Sequence, residues 1–297
     1  MPLLPLQALF NTVVNLRKTD TLGIERSKSS RPTFIHISTV PYPERKTDLL
    51  SHIYVCLLME IAILSAGSGS RLGLEKELPK SFADINGRTI LERQLAALYP
   101  LIQNGEVSNT VNLVLGYGFE NDNTPKRTVE NLIDVPDEIN LNCIVLPYWS
   151  VTENTASALA ALNVVNDHLL LLCGDVIFTP RLIKSFIYRF HDELQNEGFS
   201  SVGVIEGIQN EMTAVLWNDE KQVVNYGAID GHQEVGIFVL NRCHFEKAGS
   251  LWISNAREQW FPTIFEEVPT KAITVSEDER AEINTKEQLK DARRAFE

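Results

Sequence analysis

Apolar runs and amphipathic segments alternate along the chain from about residue 59 onward. Short apolar runs predict buried strands, the first at residues 60–64 and a central one at 168–172. Apolar residues recur with a helical period at 89–99, and a segment rich in small residues at 155–163 also favours a helix. This alternation predicts an α/β fold with a mixed, mostly parallel sheet.

The same patterns predict the remaining elements of this fold. Further strands are expected at 110–115, 141–146, 201–205, 212–218, 222–226, 235–240 and 272–275. Further helices are expected at 128–133, near 180–197, at 254–267 and at 286–296, and a short strand and turn at 81–87. The apolar run at 53–58 is far too short to span a bilayer, so no membrane insertion is expected.

A glycine-rich segment, Ser-Ala-Gly-Ser-Gly-Ser-Arg at 65–71, directly follows the first predicted strand, and Pro79-Lys80 comes shortly after it. Small residues let backbone N–H groups approach phosphate oxygens, and Arg71 and Lys80 can neutralise phosphate charge. The dinucleotide fingerprint and the Walker A loop both require a glycine where this chain has Leu72. The spacing therefore excludes both of these commoner phosphate-binding loops.

The pattern G-x-G-x-R-L-G followed by P-K resembles the signature loop of nucleotidyltransferases that make nucleotide-activated sugars and phospho-alcohols, including MobA-like enzymes and LicC-like cytidylyltransferases. The resemblance implies the nucleotide-diphospho-sugar transferase fold, a Rossmann-like three-layer sandwich. It also implies that Arg71 and Lys80 are catalytic and contact the triphosphate, Lys80 at the α-phosphate. The nucleotide-binding loop would comprise Ser65, Ala66, Gly67, Gly69, Ser70 and Arg71. The alternative is an ordinary strand–turn–helix corner with solvated cations.

A carboxylate follows the central predicted strand, in the sequence Gly174-Asp175. Open α/β sheets bind ligands at the carboxyl ends of their strands, and Mg²⁺ takes one or two carboxylates together with substrate phosphates. The resemblance implies that Asp175 is a catalytic Mg²⁺ ligand, that Gly174 lies against the nucleotide, and that Asn284 is the second metal ligand, where many relatives have Asp. The alternatives are that Asp175 is a turn or helix-capping residue and that Asn284 is a capping or turn residue before the last helix.

Two more segments resemble the family's substrate pockets. The first would place Asn154, Thr155 and Ala156 against the base and ribose. This segment is closer to that of cytidylyltransferases than to the glycine-rich segment of uridylyl- and thymidylyltransferases. The alternative is that Thr155 caps the helix. Glu234 and Gly236 would form the acceptor-binding strand. The lysine that relatives often carry shortly upstream is not evident, which leaves the acceptor undefined.

Composition narrows the functional class. A formal net charge of −12 argues against a general nucleic-acid binder. The four cysteines show no C-x-x-C spacing, so neither a zinc site nor a disulfide framework is indicated, and free thiols suit a cytoplasmic protein. No secretory signal is recognisable.

The first 58 residues differ from the rest of the chain. They contain seven Lys or Arg, four Asp or Glu and five prolines, with no sustained period. We expect a disordered or non-native N-terminal extension at 1–58, natural translation starting at Met59, and a nucleotidyltransferase domain at 59–297. A small docking arm is the alternative.

These observations predict a Mg²⁺-dependent nucleotidyltransferase of the EC 2.7.7 type. It would transfer an NMP from an NTP, with CTP slightly favoured, to a sugar phosphate or phosphorylated alcohol and release pyrophosphate. Nucleotide-sugar and cell-surface polysaccharide biosynthesis would be its setting, and a homodimer is left open. The rivals are a molybdopterin guanylyltransferase and a nucleotide-binding regulatory protein that has lost turnover.

Overall fold

The computed structural model describes residues 59–72, 78–207, 214–227 and 230–296. Its strands are β1 (Met59–Ser65), β2 (Asp84–Ile85), β3 (Arg88–Thr89), β4 (Val107–Leu115), β5 (Asn140–Val145), β6 (Leu169–Cys173), β7 (Val176–Phe178), β8 (Ser200–Ile205), β9 (Ala214–Trp217), β10 (Val223–Gly227), β11 (His232–Leu240), β12 (Thr270–Thr274) and β13 (Arg280–Glu282). Its α-helices are α1 (Ile90–Gln103), α2 (Pro125–Leu132), α3 (Asn154–Leu162), α4 (Pro180–Arg189), α5 (Phe245–Asn255), α6 (Ile264–Glu267) and α7 (Lys286–Ala295).

One mixed sheet forms the middle layer, and its strands follow the order β10-β9-β11-β6-β1-β4-β5, with β8 and β12 continuing from β11. The strands β6, β1, β4 and β5 are all parallel, whereas β11 runs antiparallel to β6. The expected α/β fold with a mixed sheet and a parallel centre is confirmed. Because parallel strands end on the same edge, the carboxyl ends of β1, β4 and β6 converge there.

The central strands are buried on both faces, as their continuous apolar runs predict. Leu169–Leu172 in β6 and Ile61–Ile63 in β1 have no exposed surface. Helix α1 begins with a capping box between Thr89 and Glu92, which satisfies backbone donors at the helix start. It packs against β4 and β7 through an apolar stripe that includes Leu91, Leu95 and Leu98.

Most predicted elements are found within a few residues of their expected positions, but the helix predicted at 254–267 is wrong. Helix α5 ends at Asn255, and a 3₁₀ turn at Phe261–Thr263 precedes the short α6. Pro262 lies in that 3₁₀ turn and has no N–H to continue a helical ladder. The sequence analysis also missed most of α5 and the small antiparallel ladder between β7 and β13.

The prediction for residues 1–58 lies outside the described part of the chain, as do Gly73 and Lys76 of the loop region. Among the described residues, no helix has both the length and the apolar character required to cross a bilayer.

Candidate active site

A cleft with a cavity volume of about 140 Å³ opens at the carboxyl edge of the sheet. Three chain segments meet around it: the loop after β1, the segment Pro79–Ser81, and the turn between β6 and β7. The turn between β6 and β7 is distant in sequence from the other two segments, and it lies beside the loop after β1 because β1 and β6 are neighbouring parallel strands. The cleft therefore lies where open α/β sheets bind their ligands.

The glycine-rich loop is shaped to lie close to Lys80. Gly69 has a φ of 60°, in the left-handed region that side chains disfavour, and a Cβ atom built there would lie 2.5 Å from the Cβ of Lys80. Gly67 is exposed, lines the cleft and has open space beside it. Gly69 thus allows a close contact between the loop and Lys80, while Gly67 leaves backbone accessible to a ligand.

The Lys80 ammonium lies between two of the predicted site residues. It forms a salt bridge with Asp175 Oδ2 and donates a hydrogen bond to Asn284 Oδ1 at 2.6 Å. The side chains of Lys80 and Asp175 are 21% and 17% exposed, so the pair is largely shielded from water and yet reachable from the cleft. Behind them, Asn284 Nδ2 donates to Glu282 Oε1 at 2.5 Å.

Neighbouring threonines, and not Asp175 or Asn284, cap the helices that follow. Thr179 caps α4 by accepting a hydrogen bond from Leu182 N, and Thr285 caps α7 with a capping box to Gln288. The capping alternatives for Asp175 and Asn284 are therefore wrong. Both side chains point instead to the same ammonium group.

The turn that carries Asp175 is tight, and it needs glycine at position 174. A Cβ atom there would lie 2.7 Å from Leu64 O and even closer to Ser65 Oγ. Gly174 N donates to Leu64 O at 3.0 Å, which fixes the turn against the end of β1. On its other side, Ile283 N donates to Asp175 O at 2.9 Å, so the residue before Asn284 contacts the turn directly.

The oxygen set fits a magnesium ion. Asp175 Oδ2 and Asn284 Oδ1 both contact Lys80 Nζ, which shows that the two oxygens can reach one cationic centre. One carboxylate and one amide oxygen, completed by substrate phosphates, are ligands of the kind that Mg²⁺ takes. The described residues include no cluster of three His, Cys, Asp or Glu side chains suited to a metal, which is compatible with a site that substrate completes.

The structure separates the three residues predicted to bind base and ribose. Asn154 lines the cleft, and its Oδ1 accepts a hydrogen bond from Phe261 N at 2.9 Å. Thr155 is fully buried, donates to Gln259 O, and lines a second cavity of about 250 Å³ beside α5. Ala156 is half-buried within α3. Only Asn154 of these three is among the described residues that line the first cavity.

The predicted acceptor residues lie in a bulge of β11. Gly236 has a φ of 76°, a Cβ atom there would lie 2.6 Å from Val176 Cγ2, and its N–H donates to the Glu234 carboxylate. Burial, and after it the Glu282 carboxylate, raises the pKa of Glu234 to about 8. The two carboxylates therefore share one acidic region next to the Asp175 turn.

The other predicted residues of the loop after β1 differ in their position relative to the cleft. Ser70 and Arg71 are exposed, form a 3₁₀ turn with the buried Leu72, and are not among the described residues that line the cavity. Ala66 is buried, and its carbonyl accepts a hydrogen bond from Tyr117 N at 2.9 Å. Ser65 is buried and lines the cleft, and its hydroxyl has no hydrogen-bond partner among the described residues.

Several residues at or near the cleft were missed by the sequence analysis. Ser81 lines the cavity, is 1% exposed, and its hydroxyl lacks a partner among the described residues; its position beside Lys80 could have singled it out. Phe261 reaches the cleft from the segment after α5, and no sequence signal marks it. Gln94 contacts the Asp175 turn from α1, and a polar residue within an apolar helical stripe was the available signal.

Comparison with known proteins agrees with this geometry. Residues 61–202 match the family model of the MobA-like NTP transferase domain. This part of the chain is similar to the nucleotidyltransferases of that family. The matched range contains the glycine-rich loop, Lys80 and Asp175, and it ends within β8. No curated protein sequence matches the chain.

Solved structures of nucleotidyltransferases share the fold over most of the described chain. The CTP:phosphocholine cytidylyltransferase from Streptococcus pneumoniae has a TM-score of 0.58 at 15% identity, with 81% of this chain and 100% of that chain covered. The inositol-1-phosphate CTP transferase from T. maritima has a TM-score of 0.57 at 18% identity, covering 80% and 96%. A putative glucose-1-phosphate thymidylyltransferase from Bacillus anthracis has a TM-score of 0.61 at 14% identity, covering 80% and 94%.

Proposed function

We propose that this MobA-like domain is a Mg²⁺-dependent enzyme that transfers an NMP from an NTP to a phosphorylated small-molecule acceptor. The observation that supports this most directly is the Lys80 ammonium between Asp175 and Asn284, beside a glycine-rich loop at the carboxyl edge of the sheet. A magnesium ion held by these two oxygens would neutralise phosphate charge and orient the NTP for in-line attack.

In the proposed reaction an oxygen of the acceptor phosphate attacks the α-phosphorus of the NTP. The bond between the α-phosphorus and the bridging oxygen breaks, and pyrophosphate leaves with the electron pair. Lys80 stabilises the charge on the α-phosphate, while backbone N–H groups of the Gly67–Gly69 segment and Arg71 hold the β- and γ-phosphates. The protein contributes positioning and charge neutralisation.

The side chains in the cleft favour direct transfer over a covalent enzyme intermediate. Cys173 lines the cleft, but burial and the carboxylates of Asp175 and Glu234 raise the pKa of its thiol well above the usual value. A thiol kept neutral is a poor nucleophile. The acceptor oxygen itself is therefore the attacking group in this proposal.

The identity of the substrates is a finer proposal. The Asn154 segment favours CTP, and two of the structural neighbours are, by name, CTP-dependent enzymes. Another neighbour is named as a thymidylyltransferase, so the base must be found by experiment. We propose a sugar phosphate or phosphorylated alcohol as acceptor, in a cytoplasmic pathway that supplies nucleotide-activated precursors for cell-surface polysaccharide.

The test is pyrophosphate release by the purified protein across a panel of NTPs and phosphorylated acceptors, with Mg²⁺ or with EDTA. Sugar 1-phosphates, phosphocholine and inositol phosphate form the acceptor arm. Turnover with one pair, lost in EDTA, supports the proposal. Turnover only with GTP and molybdopterin would favour the guanylyltransferase rival, and nucleotide binding with no pyrophosphate from any pair would favour a regulatory protein.

Removing either charged partner should abolish most of this turnover. We expect Lys80→Ala and Asp175→Ala each to lower kcat by about 10²–10³, since each removes a charged contact that acts in the transition state. Lys126→Ala is the control, because Lys126 is an exposed lysine on α2 paired with Glu130. Full activity in either site variant would refute the assignment of that residue.

A further inference from the structure

A fully buried glutamine lies within the apolar stripe of α1. Gln94 has no exposed surface and falls between the buried Leu91 and Leu98 on the face that packs against the sheet. Burying an amide costs free energy unless it is hydrogen-bonded, and an apolar residue would fill the same position without that cost. The hydrogen bonds of the Gln94 amide must therefore offset the cost of burying it.

The two N–H groups of Gln94 both go to the turn that carries Asp175. Nε2 donates to Cys173 O at 2.8 Å and to Val176 O at 2.7 Å. These carbonyl groups belong to the residues on either side of the Gly174-Asp175 pair. The Gln94 side chain thus closes the turn across its two ends.

Three parts of the fold hold this turn. Strand β1 accepts a hydrogen bond from Gly174 N, Ile283 donates one to Asp175 O, and α1 contributes the Gln94 amide. The Gln94 Oε1 atom is buried and has no hydrogen-bond partner among the described residues. The interactions of the amide are therefore concentrated on its donor side, at the turn.

We propose that Gln94 is a positioning residue, whose amide fixes the turn at residues 173–176 so that the Asp175 carboxylate is aimed at the metal and the NTP. This inference rests on the proposed function. A metal ligand must be held within a fraction of an ångström, and groups that hold ligands by hydrogen bonds contribute substantially to metal affinity. Gln94 itself touches neither substrate nor metal.

The test compares two variants that each replace a buried side-chain amide and lose its two hydrogen bonds. Gln94→Met keeps the length and approximate volume of the side chain and removes both N–H donors. Asn112→Leu is the matched control, because Asn112 is also buried, donates to Ile61 O at 3.0 Å and accepts a hydrogen bond from Asn142 Nδ2 at 2.7 Å within the sheet. Both variants should lose stability, and only Gln94→Met should disturb the turn.

The decisive readout is Mn²⁺ binding, measured by electron paramagnetic resonance on protein with the NTP that the panel selects and without acceptor. We expect the half-saturating Mn²⁺ concentration to rise about tenfold in Gln94→Met and to stay at the wild-type value in Asn112→Leu. The Mg²⁺ concentration for half-maximal turnover should rise in parallel. If Gln94→Met does not fold, Gln94→Asn replaces it, since its shorter amide cannot reach both carbonyls.

The outcomes separate this inference from the proposed function. Wild-type Mn²⁺ affinity in the Gln94 variant, together with lost binding in Asp175→Ala, would overturn the role of Gln94 and leave the proposed function standing. Equal weakening in the Gln94 and Asn112 variants would also overturn it, because it would reflect general destabilisation. Wild-type protein that binds no Mn²⁺ and releases no pyrophosphate would refute both.

Discussion

At the scale of single residues, the absence of a side chain matters as much as the charged groups of the site. Gly69 and Gly174 lie where a Cβ atom would collide with the Lys80 side chain and with the end of β1, respectively. The close approach of three segments around the Lys80 ammonium depends on these glycines. Substitutions at such positions should affect catalysis through geometry and without removing a functional group.

Gly69→Ala should reduce turnover by tenfold or more, with a loss of stability of about 1 kcal/mol from the left-handed backbone. The reason is the collision of the added Cβ with Lys80, which must shift and so disturb its contact with Asp175. Gly87→Ala is the matched control, because Gly87 has a φ of 81° but open space around it in the turn between β2 and β3.

Steady-state kinetics and thermal unfolding of both variants would check this prediction. We expect both variants to lose a similar amount of stability and only Gly69→Ala to lose turnover. Unchanged kcat in a folded Gly69→Ala protein would show that the contact between the loop and Lys80 is not needed for the reaction.

At the scale of elements, the bulge in β11 places an acidic side chain against the Asp175 turn. The register between β11 and β8 shifts between Glu234 and Phe238, and Gly236 takes up the positive φ within that interval. The raised pKa of Glu234 follows from this placement, because burial and the Glu282 carboxylate both disfavour its ionised form.

The metal-free protein should therefore lose stability as pH rises. The pKa of Glu234 is about 8 in the folded state, against an ordinary value of 4.5. At a pH between these two values, Glu234 therefore keeps its proton in the folded state and has lost it in the unfolded state. Within this window the free energy of unfolding falls with rising pH, by on the order of a few kcal/mol in total. Glu234→Gln should remove this part of the pH dependence.

Denaturant unfolding in EDTA at several values between pH 5 and pH 8.5 measures the effect. The difference in stability between Glu234→Gln and wild type should grow in favour of the variant toward high pH. Parallel stability curves for the two proteins would contradict the raised pKa.

At the scale of the whole molecule, the cleft is assembled from the beginning, middle and end of the described chain. Lys80 follows the glycine-rich loop, Asp175 follows β6, and Asn284 follows β13. The ladder between β7 and β13 joins the last two segments, and the pairing of β1 with β6 joins the first two. The site therefore depends on the complete sheet from Met59 onward.

A chain of residues 59–297 should fold and keep the transfer activity. The shorter chain keeps the sheet and the cleft residues Lys80, Asp175 and Asn284, and Met59 at its start is buried and paired with Val107. We expect its unfolding midpoint to lie within about 3 °C of the full chain, a difference below about 1 kcal/mol. Loss of folding or of turnover would show that residues 1–58 are part of the working protein.

Much of the fold could be predicted from local patterns. The apolar runs located β1, β4, β5 and β6, and the helical period located α1 and α7, because each of these elements buries a contiguous or periodic apolar set. The segment at 254–267 was misread, although Pro262 is visible in the sequence and is unfavourable inside a helix. The short ladder between β7 and β13 left no local pattern, since its three residues pair across about a hundred positions.

By itself, the sequence predicted the class of site: a glycine-rich loop with Arg71 and Lys80, a Gly-Asp pair after a buried strand, and a closing Asn284. Spacing supports such a prediction because a phosphate-binding loop constrains residues that are neighbours along the chain. Only the tertiary structure decided which of these residues meet. Lys80, Asp175 and Asn284 contact one another, and Gln94 donates hydrogen bonds to the turn that carries Asp175. Arg71 is exposed, and Thr155 donates to Gln259 O outside the first cavity. Local sequence patterns do not give these contacts, because contacts between distant segments follow from sheet pairing and helix packing.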